Sequence, residues 1–141
     1  MWQNNKSMTS KVIYQGDLRT ECEHLQSSSK FITDAPIDNQ GRGDAFSPTD
    51  TVATAMASCM LTIMGIKARD MDLDLKDTYA EVTKHMESNP RRISKIVVKL
   101  FVKGRFSEKE KTILENAART CPVINSIHPD IEKDITFNYP G

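Results

Sequence analysis

The segment that most constrains the fold is SPTDTVATAMASCMLTIMGIKAR, residues 47–69. Ser47 offers an N-cap, Pro48 suits the first helical position, and Asp50 completes an S-x-x-D capping box. Apolar residues follow at helical spacing on nearly every face, so the predicted helix, which ends at about Arg69, has to be buried. The chain therefore has to fold around one long central helix.

Strand patterns lie on both sides of this helix. Before it, the alternating segments SKVIYQG, LRTECEH and SKFITDA predict a three-stranded meander, followed by the loop DAPIDNQGRGDAFSP. After it, residues 73–88 and 93–103 predict two long antiparallel strands joined at Asn89-Pro90. One face of the second strand would carry the apolar side chains of Ile96, Val98, Leu100 and Val102.

The last forty residues predict two more helices and a strand. Ser107 and Glu110 form a second capping box, which opens a helix that ends before Pro122. The apolar stripe of this helix consists of Ile113, Leu114, Ala117, Ala118 and Cys121. PVINSIH would be a short helix and DITFNYP the final strand. The pattern predicts an α+β fold, one domain over residues 1–141, with antiparallel sheets packed on the long central helix.

Length and charge narrow the classes of function. A chain of 141 residues can bury a core without disulfide or metal staples. Acidic and basic residues number nineteen each, which does not indicate a nucleic-acid or anionic-membrane partner. The polar start MWQNNKSMTS has no apolar leader region, and no uninterrupted apolar run approaches the roughly eighteen residues of a membrane span. We expect a cytoplasmic protein with no membrane or nucleic-acid partner.

Three cysteines, Cys22, Cys59 and Cys121, are too few and too widely spaced for a disulfide framework. None belongs to a CxxC pair, so a special cysteine here would be redox-active or catalytic. Cys22 and His24 would point to the same face of a strand and could touch a metal ion. Because no second pair of ligands is visible, no metal site is predicted.

Cys59 lies about three turns into the predicted central helix, beyond the reach of the helix N-terminus. The nucleophile is the thiolate, and burial disfavours it, so a reactive Cys59 needs a cation from elsewhere in the fold. The helix alone favours a structural cysteine. Cys121 precedes Pro122 and could cap the next helix, where free N–H groups favour a thiolate.

Three sequence elements resemble the OsmC/Ohr family of thiol-dependent peroxide reductases. They are DAPIDNQGRGDAFSPTDTVATAMASC, NPRRISKIVVKLFVKG and CPVINSI, which occur in the family's order and at its spacing between about residues 10 and 139. The resemblance implies the α+β OsmC-like fold and an intertwined homodimer, with the long helices at the interface and the sites formed between subunits. It also implies an antioxidant, stress-response enzyme that reduces hydroperoxides.

The resemblance also implies roles for individual residues. Cys59 matches the peroxidatic cysteine, Cys121 the resolving cysteine, and Arg19 the arginine that pairs with the reactive thiolate. Cys59 would become a sulfenic acid and form a disulfide with Cys121, which an external dithiol or lipoyl reductant would then reduce without a bound cofactor. An apolar lining would suit an organic hydroperoxide and would consist of Met56, Met60 and Ile63. The methionine repeat, which includes Met64, is more typical of gap-filling in a helix interface than of a binding surface.

One position departs from the family pattern. Organic-hydroperoxide members carry a glutamate ten residues before the reactive cysteine, where this chain has Thr49. Its neighbour Asp50 is shorter than glutamate and is a candidate helix cap. Two hypotheses stay open: a two-cysteine hydroperoxide reductase, and a non-enzymatic OsmC-like protein that binds a small apolar or thiol ligand at the dimer interface.

Overall fold

The computed structural model describes residues 8–141, so most of the polar amino-terminal stretch lies outside the described residues. Contacts divide the chain into two compact units, with the boundary between Thr51 and Val52. The first unit contains a three-stranded sheet and a loop, and the second contains another sheet with helices. The prediction of one domain over residues 1–141 stays a prediction.

The sheet of the first unit is the predicted meander. Its strands β1 (Ser10–Gly16), β2 (Arg19–His24) and β3 (Lys30–Asp34) are antiparallel and lie in the order β1-β2-β3. The two-residue turn between β1 and β2 has φ of 55° at Asp17 and 63° at Leu18, the backbone twist that suits a tight hairpin.

The loop after β3 is attached to the sheet at both ends. It contains a 3₁₀ turn, Ile37–Asn39, and returns so that the Asp34 N–H donates to the Phe46 carbonyl at 3.0 Å. A Cβ at Gly41 would lie 1.7 Å from the Ala35 carbonyl oxygen, so this position requires glycine. The loop is therefore folded closely on itself.

The long helix α1 (Pro48–Asp70) begins at the predicted residue and ends one residue beyond the predicted end. The Ser47 hydroxyl accepts from the Asp50 N–H at 3.1 Å, and the Asp50 carboxylate accepts from the Ser47 N–H at 2.9 Å. This reciprocal pair confirms the predicted capping box. The buried residues of α1 are Ala53, Met56, Ala57, Met60, Met64 and Ala68.

By length and composition alone, α1 could also cross a membrane, with a mean hydropathy of 1.4 over an 18-residue window. Threonines and serines interrupt the apolar residues of this helix but lower its mean hydropathy little, so the helix passes this test although its uninterrupted apolar runs are short. The core helix of a globular protein passes the same test. In the second unit one face of α1 packs in the hydrophobic core, which is the arrangement of a core helix.

The sheet of the second unit begins with the antiparallel pair β4 (Tyr79–Glu87) and β5 (Arg92–Phe101). The predicted start at Leu73 is wrong by six residues, since the Leu73 N–H donates to the Ala68 carbonyl and closes the end of α1. Turns with φ of 57° at Asp72 and 71° at Asp77 follow. The strand therefore starts only after these turns, and β5 likewise ends before the predicted Lys103.

The third strand of this sheet, β6 (Glu132–Asn138), is parallel to β5. The expectation of wholly antiparallel sheets is therefore wrong for β6 and correct for the other pairings. The connection from β5 contains two helices, α2 (Glu108–Arg119) and α3 (Pro122–Ser126), and is long enough for the crossover that a parallel pair needs.

The hydrophobic core of the second unit lies between α1 and β5. Ile96, Val98, Leu100 and Val102 have no exposed surface, as the alternating pattern predicted. Leu114 from α2 packs into the same cluster. The predicted capping box at the start of α2 is confirmed as well, with both reciprocal hydrogen bonds between Ser107 and Glu110. The α+β fold, with its sheet packed on the long helix, is thus observed in the second unit.

Candidate active site

Cys59 lies on α1 in the second unit and is half-buried at the edge of the hydrophobic core. Its position follows from the helix itself, since Met56 and Met60 on the adjacent face are fully buried. A half-buried thiol retains some surface that a small molecule can reach. The structure therefore leaves Cys59 more accessible than the helix pattern alone suggested.

Cys121 is fully buried and has a free thiol. It is the N-cap of α3, as predicted, and its Sγ accepts from the Ile124 N–H at 3.4 Å. Burial raises the pKa of the Cys121 thiol, the Ile124 N–H acts in the opposite direction, and the neighbouring Cys59 thiol adds to the rise. The cap is confirmed, but burial outweighs its tendency to favour a thiolate.

Cys59 and Cys121 are neighbours within the second unit, near enough for the Cys59 thiol to raise the pKa of Cys121. They come from two different elements, α1 and the start of α3, which the shared core aligns. One thiol is half-buried and the other is buried. Such a pair can transfer oxidation from an accessible sulfur to a protected sulfur by forming a disulfide.

Arg19 lies in the first unit and is paired with Asp34. Its Nε lies 2.7 Å from Oδ1 and its Nη2 lies 2.8 Å from Oδ2 of that carboxylate, while the Asp44 carboxylate is 3.9 Å away. The hydrogen bond to Asp34 raises the pKa of Arg19, and the same bond holds the pKa of Asp34 below its ordinary value. The guanidinium is therefore charged and held in a fixed orientation.

Thr49 and Asp50 lie at the start of α1. Asp50 is engaged in the capping box with Ser47, as the sequence suggested, and the Thr49 hydroxyl lies 3.3 Å from the Ser47 hydroxyl. Sequence reasoning missed Asp34 as the partner of Arg19. The only sequence signal of Asp34 was its place at the end of β3, in TDAP. The sequence did not show its partner, because the pairing depends on the strand register that sets Arg19 opposite Asp34.

The three residues predicted to line an apolar site differ in exposure. Met56 and Met60 have no exposed surface and pack in the core of the second unit, whereas Ile63 is half-buried at its edge. This placement favours the gap-filling interpretation for both methionines. Only Ile63 has surface that a ligand could contact.

Cys22 lies on β2, half-buried, with its sulfur 3.9 Å from the Thr20 hydroxyl. The nearby His24 directs its Nδ1 to the Ser27 hydroxyl at 2.7 Å. Among residues 8–141, no group of three or more histidine, cysteine, aspartate or glutamate side chains is placed to hold a metal ion.

Comparison with known proteins places this fold among its relatives. The family model described as OsmC-like protein matches residues 41–136. A Psychrobacter arcticus 273-4 protein named for an osmotic stress-induced and detoxification response is 56% identical, with a TM-score of 0.90 over 92% of this chain and 95% of that chain. A comparison with curated proteins finds no match.

More distant structures share the fold. An organic hydroperoxide resistance protein OsmC from Legionella pneumophila is 19% identical, with a TM-score of 0.68 over 94% of this chain and 98% of that chain. An OsmC-like protein of unknown function from Vibrio cholerae is 13% identical, with a TM-score of 0.72 over 89% and 96%. At these identities the likeness shows the fold alone.

Proposed function

Because the chain belongs to the OsmC-like family, we propose that it is a thiol-dependent hydroperoxide reductase in which Cys59 and Cys121 form the redox pair. The observation that carries the proposal is that a half-buried thiol, Cys59, and a buried thiol, Cys121, are neighbours in one hydrophobic core. The two cysteines lie 62 positions apart in the sequence, so the fold and not local sequence brings them near each other. The pair supports redox chemistry over simple packing.

In the first step of the proposed reaction, the Cys59 thiolate attacks the distal oxygen of the hydroperoxide. The O–O bond breaks, the sulfur is oxidised to a sulfenic acid, and the peroxide leaves as an alcohol after taking up one proton. Two electrons pass from the sulfur to the peroxide. The half-buried position of Cys59 supports its assignment as the attacking thiol.

In the second step, the Cys121 sulfur attacks the sulfenic sulfur of Cys59, and one water leaves as the disulfide forms. An external dithiol or lipoyl group then reduces this disulfide to two thiols and is itself oxidised. No bound cofactor is required. Burial of Cys121 keeps it away from peroxide and supports its assignment as the resolving thiol.

Arg19 is the cation proposed to favour the Cys59 thiolate. Its raised pKa keeps it charged at neutral pH, and an opposite charge within ~4–6 Å lowers the pKa of an acid by about 1–3 units. Asp50 is committed to the capping box and Thr49 carries no charge, so neither replaces the glutamate of the organic-hydroperoxide members.

The proposed substrate is a small organic hydroperoxide. The half-buried apolar side chains next to Cys59 in the core cluster, such as Ile63, suit an alkyl group better than they suit hydrogen peroxide. Met56 and Met60 would act behind this surface as packing. The proposed location is the cytoplasm, where thiols are kept reduced.

We further propose that the protein acts as a homodimer. Large apolar side chains are exposed on the first sheet, at Val12, Tyr14 and Phe31, and on α1, at Val52 and Ile66. In the first sheet Val12, Tyr14 and Phe31 share one face, and an exposed apolar patch of this kind is typical of an interface. A second copy of the chain is the occupant that the family resemblance implies.

A hydroperoxide-consumption assay tests the proposal. Reduced wild-type protein is mixed with cumene hydroperoxide and either dithiothreitol or dihydrolipoamide, and peroxide loss is followed beside Cys59→Ser, Cys121→Ser and the control Cys22→Ser. We expect turnover by the wild type and Cys22→Ser, none by Cys59→Ser, and no disulfide between positions 59 and 121 in Cys121→Ser. Absence of turnover by the wild type, or turnover unchanged in Cys59→Ser, would instead favour the non-enzymatic ligand-binding protein.

A further inference from the structure

Cys121 lies two residues beyond the last residue of α2, so a rotation or shift of this helix moves the Cys121 sulfur. One face of α2 packs in the core of the second unit, where Leu114 and Ala118 have no exposed surface. Hydrophobic burial is non-directional, so it constrains the rotation of a helix less closely than hydrogen bonds do. The contacts on the other faces of α2 therefore matter for Cys121.

A second face of α2 makes directed contacts with the aromatic side chains at the end of β6. Lys111, Glu115 and Arg119 follow one another at four-residue spacing along this face. The Tyr139 hydroxyl donates to Glu115 Oε2 at 2.8 Å, and Lys111 Nζ lies 4.6 Å from the centroid of the Tyr139 ring. One turn further on, Arg119 Cζ lies 5.2 Å from the centroid of the Phe137 ring. Three successive turns of α2 are thus attached to two aromatic residues.

The sheet holds these aromatic residues in turn. Asn138, which lies between Phe137 and Tyr139, accepts the Val102 N–H at its backbone carbonyl, at 2.7 Å. Its side-chain amide donates to the Leu100 carbonyl at 3.2 Å. Leu100 and Val102 have no exposed surface. The end of β6 is therefore fixed to the core, and it can serve as a rigid attachment point for α2.

Tyr139 is the central residue of these contacts and is half-buried. Burial raises the pKa of its hydroxyl and the hydrogen bond with Glu115 adds to the rise, so the hydroxyl is protonated and donates at neutral pH. The Tyr139 ring also meets the Phe106 ring edge-on, with centroids 6.2 Å apart, directly before the N-cap of α2. Tyr139 thus contacts both the residue that precedes α2 and the middle of the helix.

We propose that Tyr139 and Glu115 are positioning residues for Cys121, because their hydrogen bond fixes the rotation of α2 and so holds the Cys121 sulfur beside Cys59. Neither residue touches a sulfur in this role, and both act through α2. The inference rests on the proposed function only in taking Cys59 and Cys121 as the redox pair.

The test measures how readily Cys59 and Cys121 form a disulfide in mixtures of reduced and oxidised glutathione at pH 7. Glutathione disulfide accepts two electrons and two protons from the two protein thiols and is released as two glutathione molecules, while the S–S bond forms in the protein. Acid-quenched samples are digested, and mass spectrometry gives the fraction of the 59–121 disulfide. The ratio [GSH]²/[GSSG] at half-oxidation is the effective concentration of the two thiols.

Four proteins form a double-mutant cycle: wild type, Tyr139→Phe, Glu115→Ala and the double variant. We expect each single substitution to lower the effective concentration about three- to tenfold, because each removes the same hydrogen bond. The double variant should match the larger single effect. Glu115→Gln keeps an acceptor for the Tyr139 hydroxyl and should lie closer to the wild type than Glu115→Ala does.

A matched control removes a hydroxyl from the opposite face of the same sheet. Tyr79 is in register with Phe101 and Asn138, so its side chain points away from the face that carries Tyr139. Tyr79→Phe should change the effective concentration less than about twofold. Urea unfolding of the reduced proteins separates positioning from stability, since a purely stabilising hydrogen bond would lower the urea midpoint and leave the effective concentration unchanged.

Three outcomes would overturn the inference: an unchanged effective concentration in Tyr139→Phe, multiplication of the two single effects in the double variant, and an effect of Tyr79→Phe as large as that of Tyr139→Phe. If Glu115→Ala or the double variant fails to fold, as judged by circular dichroism, Tyr139→Phe decides together with Tyr79→Phe. Tyr139→Phe retains the ring and its contacts with Lys111 and Phe106, so it removes the hydroxyl alone.

The glutathione equilibrium does not require peroxidase turnover, which separates the two proposals. A wild type that consumes no hydroperoxide, but whose effective concentration falls in Tyr139→Phe, would reject the proposed enzyme and retain the positioning role. A wild type that turns over hydroperoxide, with the same effective concentration in Tyr139→Phe, would reject the positioning role alone.

Discussion

The two units of this protein bury different kinds of residue. In the described part of the first unit, residues 8–51, the buried residues are Thr33, Asp34 and Ser47, all of them polar. In the second unit every buried residue is apolar: Ala53, Met56, Ala57, Met60, Met64, Ala68, Ile96, Val98, Leu100, Val102, Leu114, Ala118 and Cys121. Directional bonds thus determine the structure of the first unit, and hydrophobic packing determines that of the second.

This difference matches what each unit contributes to the candidate chemistry. The second unit surrounds two thiols with close-packed apolar side chains, which protects one sulfur and aligns it with the other. The first unit holds the Arg19 guanidinium by two hydrogen bonds to Asp34. Next to this pair along the two strands, the hydroxyls of Thr20 and Thr33 are hydrogen-bonded at 2.6 Å. Packing is suited to exclude water, and hydrogen bonds are suited to orient a charge.

The largest expected contrast between the units comes from one isoleucine in each sheet. Ile96→Ala removes a side chain with no exposed surface and should lower the free energy of unfolding by about 2–5 kcal/mol. Ile13→Ala removes one that is 44% exposed and should cost about 1 kcal/mol or less at low protein concentration. Urea denaturation of both variants measures the difference, and equal losses would contradict the comparison.

A pH series on Asp34→Asn sharpens the polar side of the comparison. Arg19 holds the folded-state pKa of Asp34 below its unfolded value, so the stabilisation is present above the ordinary carboxyl pKa and is lost as pH falls through the lowered one. We expect Asp34→Asn to be less stable than the wild type at pH 7, and we expect this difference in stability to be smaller at pH 3. Urea midpoints of both proteins at the two pH values measure the difference. The same difference at both pH values would show that the charge of Asp34 does not contribute to stability.

The two capping boxes offer a smaller contrast. Ser47 is buried, whereas Ser107 is exposed. Each serine hydroxyl accepts a hydrogen bond, at 3.1 Å, from the backbone N–H of the residue three positions later. Replacement by alanine leaves that N–H without its acceptor, and water can replace the hydroxyl only at the exposed cap. Ser47→Ala should cost about 1–2 kcal/mol and Ser107→Ala about 0.5–1 kcal/mol in thermal or urea unfolding. The reverse order would mean that burial does not amplify the polar contacts of the first unit.

The smallest expected effect is a gain of stability in the second unit. Gly65 lies inside α1, and a Cβ at that position would meet nothing within 4 Å. Alanine has a higher helix propensity, so Gly65→Ala should raise the free energy of unfolding by about 0.5–1 kcal/mol. The melting temperature at low protein concentration measures this gain. A loss that grows with protein concentration would instead indicate that a second copy of the chain packs closely on Gly65.

Local features of the sequence determined much of the fold. Ser47 and Asp50, and Ser107 and Glu110, form both capping boxes as predicted, since a cap depends on residues only three positions apart. Alternation along β5 identified the buried face because side chains alternate along any strand. The start of β4 at Tyr79 was missed because turns follow the end of α1. In these turns Asp72 and Asp77 adopt the left-handed backbone conformation.

The tertiary structure alone decided the relations that matter for chemistry. The thiols of Cys59 and Cys121 are neighbours because α1 and the start of α3 share a core. Burial, which no local pattern reports, raises the pKa of Cys121 although Cys121 caps a helix. Arg19 and Asp34 pair because the strand register sets them opposite each other. Local hydrogen bonding and side-chain periodicity are written in neighbouring residues, whereas contacts between distant residues depend on how the chain packs, so only the folded structure shows them.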